Sequence, residues 1–270
     1  MSRVIRRVAV SIATAIAVPL AAQPLATAAS IRGSATSAPP HAPRPFAIGE
    51  RFAYDVRYGP VQVGSGSIEI TNLELVRGRP AWKALFRLHG GNALYRLDNT
   101  FQSWIDTTSL ASLRFHKEVR EGGRSGAQMF EIYDELGVYV EAGKGEFPTV
   151  AGPLDDASFF YFVRTIPLEV GRSYAFNRYF KPDRNPVGVR VVRRERITTE
   201  AGTFDALVIR PVIKTSGMLG EARKTEVWLS DDARRMVLQV RSDLPFGAVT
   251  MALREYQPGA GMAPLVIADR

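Results

Sequence analysis

The sequence predicts a mainly β protein: one large antiparallel meander sheet, curled into an open or half barrel, with one short helix packed on it. Three observations carry this. Large apolar side chains recur at every second residue in segment after segment, which is the pattern of strands with one buried face. The connections are short and hold Gly, Pro, Asn or Asp, whereas parallel pairing needs crossovers of about a dozen residues or more. A sheet of about a dozen strands does not stay flat, and curling gives its apolar face a place to hide.

The elements follow in order. Phe52, Tyr54, Val56 and Tyr58 share one strand face, and Gly59-Pro60 turns the chain. The next run, Val61 to Leu75, carries Gly64 and Gly66 inside a strand pattern, which predicts a bulge or the close approach of another backbone. Trp82, Ala84, Phe86 and Leu88 share a parity; after the turn His89-Gly90-Gly91-Asn92, the series Tyr95, Leu97, Phe101 and Ile105 continues on the next strand. Leu113 to Val119 and Ala127 to Tyr133 flank Glu121-Gly122-Gly123 as another hairpin. Later strands are predicted at Tyr174 to Phe180, Val187 to Thr199, Phe204 to Lys214, Lys224 to Leu229, Arg235 to Arg241 and Ala248 to Tyr256. Turns fall at Asn185-Pro186, Ala201-Gly202, Ser216-Gly217, Asp231-Asp232 and Leu244 to Gly247. One segment breaks the rhythm. Asp155 and Asp156 precede Phe159, Phe162 and Val163 at helical spacing, so acids meet the positive end of a short helix. Four consecutive aromatics, Phe159 to Phe162, cannot all be buried against a single sheet face, and at least one ring is expected to face elsewhere.

Ahead of this domain, Arg3, Arg6 and Arg7 precede an uncharged apolar run, Val8 to Ala22, and Ala26-Thr27-Ala28 offers small residues at a cleavage spacing. The run is short for a membrane span, which needs about 20 apolar residues, and Pro19 interrupts it. Residues 1–28 therefore read as a cleaved signal peptide, with a second cleavage position after Ala22. Residues 29–45, with Pro39, Pro40, Pro43 and Pro45, read as a flexible leader; 46–257 as a single β-rich domain; and 258–270 as a tail. Cysteine is absent, which excludes a disulfide framework, thiolate chemistry and a lipid-modified cysteine. Loss of the signal leaves thirty-two basic against twenty-seven acidic residues, a mild excess without the concentrated patch of a nucleic-acid binder.

With these elements placed, a resemblance emerges over about Gly49 to Tyr256. Gly49-Glu50-Arg51-Phe52-x-Tyr54-x-Val56-x-Tyr58-Gly59, then Asp155-x-x-Ser158-x-x-Tyr161-x-x-Arg164, then Arg194-Glu195 and Thr199-x-Ala201-Gly202-Thr203-Phe204-Asp205, stand in this order. Val227-Trp228-Leu229-Ser230-Asp231-Asp232-x-Arg234-Arg235, with Gly247 and Leu253, closes the series. Together they resemble the exported bacterial domain-of-unknown-function family 3108 (DUF3108). The resemblance implies a signal-bearing, mainly β, periplasmic protein and brings no catalytic or binding residues. Met236 departs from it, standing where proline is common.

No reaction motif emerges. His41, His89 and His116 lack metal-ligand spacing, no Gly-x-Ser-x-Gly elbow or phosphate loop occurs, and the pairs Asp155-Asp156 and Asp231-Asp232 read as caps. No catalytic residue, metal or cofactor is predicted. Two features stand as ligand-binding candidates. Phe159, Phe160, Tyr161 and Phe162 would line or lid an apolar cavity in the curled sheet. Arg190, Arg194 and Arg196 would align by period two into a basic stripe for anionic lipid or glycan. The leading reading is a non-enzymatic periplasmic protein binding an apolar or lipid-like envelope ligand, with no nucleic acid and no integral membrane anchor. The alternatives are a hydrolase acting on envelope glycan or lipid, and a structural partner in envelope assembly.

Overall fold

A computed structural model describes residues 44–91, 96–121, 123–212, 224–244 and 247–260. The stretches read as signal peptide, leader (except 44–45) and tail (except 258–260), together with Tyr95 and the turns at Asn92, Gly122, Ser216-Gly217 and Pro245-Phe246, lie outside the described residues, as does His41. The first half of the chain forms β1 (Arg51–Tyr58), β2 (Val61–Val76), β3 (Arg79–Gly91), β4 (Arg96–Asp106), β5 (Ser112–Glu121), β6 (Arg124–Tyr133), β7 (Val138–Glu141) and β8 (Gly145–Pro148). Helix α1 (Ser158–Val163) follows, then β9 (Ser173–Phe176), a 3-10 turn (Pro182–Arg184), β10 (Val187–Thr199), β11 (Gly202–Val212), β12 (Lys224–Ser230), β13 (Val237–Leu244) and β14 (Gly247–Gln257).

All fourteen strands belong to one antiparallel sheet in the order β8-β7-β6-β5-β4-β3-β2-β1-β14-β13-β12-β11-β10-β9. Two meanders, β1 to β8 and β9 to β14, are thus joined where β1 pairs with β14, in a register that sets Arg51 opposite Gln257. The sheet does not close: β8 and β9 are its edges. Irregular chain bridges them, through a parallel bridge between Leu154 and Tyr179 and a hydrogen bond of 2.6 Å from the Thr149 hydroxyl to the Phe180 carbonyl.

The predicted alternation puts its apolar parity on the inner face. One register row runs Tyr256, Phe52, Ile68, Phe86 and Phe101 across β14, β1, β2, β3 and β4. Phe52, Ile68 and Phe86 are buried, and each contributes about 1.5–3 kcal/mol; the half-buried Tyr256 and Phe101 contribute less. The glycine prediction also holds: a Cβ on Gly64 would collide with the His89 carbonyl, and one on Gly90 with the Val63 carbonyl, so β2 and β3 cross too closely there for side chains.

Three details differ from the sequence reading. The strands β7 and β8 were not expected, because four residues each are too few to display a period. The strand expected over Tyr174 to Phe180 ends at Phe176; Phe180 instead inserts its ring among Phe115, Phe130 and Tyr139. A bulge between Val191 and Arg193 reverses the parity of β10 midway.

Candidate functional site

Helix α1 lies against the concave side of the sheet, and all six of its residues are buried. The expectation that one aromatic ring would face elsewhere is not met, because the helix meets walls on several sides. Phe160 stacks near Phe86 of β3, Tyr161 packs edge-on to Phe46, and Phe162 packs edge-on to Phe176 of β9. These four rings are core.

Both ends of the helix are tied by buried charged side chains. At the N-terminal end Asp155 caps as predicted: its Oδ1 accepts the Ala157 and Ser158 amides, each at 2.8 Å. Its Oδ2 accepts the hydroxyls of Ser103 on β4, at 2.6 Å, and of Ser112 on β5. Burial pushes the Asp155 carboxyl up to about 6, against the pull of these donors. At the C-terminal end Arg164 meets Glu50 in a two-pronged pair, Nη1 to Oε2 and Nη2 to Oε1, both at 2.7 Å. Arg164 also donates to the Pro45 and Arg234 carbonyls, while Tyr256 donates to Glu50 at 3.1 Å. Burial opposes the guanidinium charge, but Glu50 outweighs it and holds Arg164 above its ordinary value. Between the two ties the Tyr161 hydroxyl is buried with no hydrogen-bond partner among the described residues.

The other acids of the predicted pairs are also engaged locally. Asp156 accepts the Tyr179 hydroxyl at 2.7 Å and faces Lys117 at 3.5 Å. Asp232 caps its turn by accepting the Arg234 and Arg235 amides, and Asp231 pairs with Arg194 and Arg235. His89 is exposed near Asp98, and His116 packs edge-on to Trp104.

The opposite, outward face of β10 to β13 carries a cleft of about 600 Å³. Its floor is Trp228 of β12, whose indole N–H donates to Glu195 of β10 across the small side chains of β11. Arg193 lies over the ring, 5.7 Å from its centroid, and grips both Glu195 and Glu226. Arg210 of β11 shares Glu226 at 2.7 Å. Hydrogen bonds from Arg193 lead in holding Glu195 below the usual carboxylate range; for Glu226, burial pulls the other way but Arg193 and Arg210 prevail. Ile197, Lys224, Gln239, Arg241 and Asp243 complete the lining.

The predicted arginine stripe does not form. Arg190 stands opposite Arg210 and Arg193 opposite Val208, which places both on the outward face; Arg194 stands opposite Leu207 and Arg196 opposite Asp205, on the other face. The extra residue of the bulge, Val192, causes the exchange. Of the three arginines only Arg190 borders the cleft side. Sequence reasoning missed Arg210, Glu226, Trp228 and Arg241, whose alignment depends on register between strands; the tryptophan inside an alternating strand was the one visible signal.

Fold and cleft together define a class: an open, curled, single-sheet β domain wrapped around an aromatic helix. The chain belongs to the DUF3108 family, described as proteins of unknown function, whose family model matches residues 53–254. No curated protein matches the chain. Among solved structures it is similar to a β-barrel-like protein of domain of unknown function DUF1849 from Brucella abortus, at 9% identity and a TM-score of 0.50. That match covers 79% of this chain and 98% of the other. It is also similar to the hypothetical protein CT021 from Chlamydia trachomatis, at 10% identity and a TM-score of 0.36, over 83% and 93% of the two chains. The first likeness supports the barrel-like fold. Among the described residues no helix is long and apolar enough to cross a membrane.

Proposed function

We propose that this chain is an exported periplasmic protein that works by binding, and that its ligand docks in the outward cleft of β10 to β13. The export signal, three arginines before an apolar run ending in small residues, supports the compartment. The single observation that carries the site is the cleft itself: about 600 Å³ with an aromatic floor and convergent charged and amide side chains. Eight of its ten lining residues are charged or amide side chains, which suits a polar ligand. An apolar ligand on the concave side, the occupant the sequence favoured, would have to displace α1, which is buried and tied at both ends. The outward cleft needs no such displacement.

The test is native mass spectrometry of the protein recovered from its own envelope, repeated with Arg193→Ala. A bound polar molecule that is lost in the variant is the expected result. A bound lipid retained in the variant would return the ligand to the concave side. Turnover of envelope glycan or lipid by the purified protein, abolished by Glu226→Gln, would replace binding by catalysis. A single stoichiometric protein recovered by crosslinking, with no small molecule bound, would point to an assembly partner.

A further inference from the structure

The outward face holds a basic row that runs across strands rather than along one. Register places Arg190 of β10 opposite Arg210 of β11. Arg210 reaches Glu226 of β12, Glu226 stands opposite Arg241 of β13, Arg241 opposite Thr250 of β14, and Thr250 opposite Arg57 of β1. Six neighbouring strands thus present four arginines, one carboxylate and one hydroxyl in a line. At about 4.8 Å per strand the row is about 24 Å long.

Its charge is incompletely compensated. Like charges directly opposite each other in a sheet are destabilising, yet Arg190 and Arg210 are so placed. Arg210 finds Glu226, already shared with Arg193; among the described residues Arg190 makes no ion pair, and Lys224, opposite Asp243 at the end of the same cleft, makes none either. Arg241 and Arg57 have only half-exposed partners, Asp243 at 3.2 Å and Glu200 at 3.5 Å. Such pairs are held weakly and exchange readily for a competing carboxylate.

We propose that the ligand of this cleft is an acidic saccharide chain, lying along the row with its carboxylate or phosphate groups against Arg190, Arg210, Arg241 and Arg57. This rests on the assignment of the cleft as the ligand site. Repeating acidic groups suit cations spaced along a line. Glu226, Gln239 and Thr250 among them supply the acceptors and donors that sugar hydroxyls need. A bilayer surface fits less well, because the row borders a cleft that a chain can enter and a flat plane of headgroups cannot.

The probes are a soluble oligogalacturonate and its methyl ester, the same sugar chain without charge, titrated calorimetrically into the protein. The acid is expected to bind at least tenfold more tightly than the ester, and to weaken as salt is raised. Arg190→Gln together with Arg210→Gln is expected to lose about tenfold for the acid and little for the ester. Arg190→Gln alone, at an exposed position, controls for folding, with an unchanged melting temperature and a severalfold weaker acid affinity. Equal affinity for acid and ester overturns the charge inference and leaves the cleft assignment standing. Binding of neither overturns both. Binding to phosphatidylglycerol vesicles but to neither sugar makes the row a membrane contact and also overturns the inference.

Discussion

At its N-terminal end α1 is tied through Asp155 by hydroxyl and amide donors alone, whereas at its C-terminal end Arg164 meets a full counter-charge in Glu50. The difference follows from the two chemistries. A buried carboxylate can satisfy its lone pairs with dipoles and can shed its charge by taking a proton. A buried guanidinium cannot be deprotonated in a protein, so it needs an anion. Asp155 can therefore become neutral in place as pH falls, whereas the guanidinium of Arg164 stays charged.

Orphaning one of the two buried charges has the largest expected effect. Arg164→Met leaves Glu50 buried and unpaired and is expected to cost about 3–5 kcal/mol, read from the urea midpoint at constant slope. The double variant Glu50→Leu with Arg164→Met should be markedly more stable than Arg164→Met alone. A double variant no better than the single would show that shape at this site, not charge, holds the helix.

Next in size is the pH response. The native carboxyl of Asp155 lies near 6, above its ordinary 3.8. Between those values the folded state holds a proton that the unfolded chain has released. The contribution of Asp155 is thus greatest at the acid end and is lost as pH rises from about 4 to about 6, by about 3 kcal/mol. Carboxylates held low, such as Glu195 and Glu226, act in the opposite sense, losing stability as pH falls through their native values. The contrast between wild type and Asp155→Asn isolates the effect: the difference in unfolding free energy should change across pH 4 to 6 and stay level above 7. A flat difference would mean that the serine hydroxyls fully compensate the buried charge.

Smallest is the site between the two ties. Tyr161→Phe removes a hydroxyl with no partner among the described residues while keeping the ring, and should raise stability by about 1 kcal/mol. A loss of similar size would reveal a hydrogen bond from that hydroxyl to water.

The ends of α1 were half legible in the sequence. Asp155, Ser158, Tyr161 and Arg164 recur at three-residue spacing, and acids before the aromatics marked the capped end. Their partners were not legible. Glu50 lies 114 residues from Arg164, and Ser103 lies 52 from Asp155. Period two states which residues of a strand share a face; it does not state which strand lies opposite or in what register. The same limit hid the row from Arg190 to Arg57, and one extra residue, Val192, undid the stripe that strict alternation drew along β10. The four-aromatic run was found but read as lining or lidding a cavity with one ring facing elsewhere, because nothing local shows that a curled sheet encloses a helix from several sides.

The pairing of β1 with β14 also governs how the chain reaches this state. Every other ladder joins strands adjacent in sequence, so each half can zip from its own hairpins with little loop to close. The β1–β14 ladder alone must bring together residues about two hundred positions apart, and its second strand is the last of the fourteen to be synthesised. Until then the edge of β1 that β14 will cover is open, and an incomplete chain carries an unprotected edge on which copies can assemble.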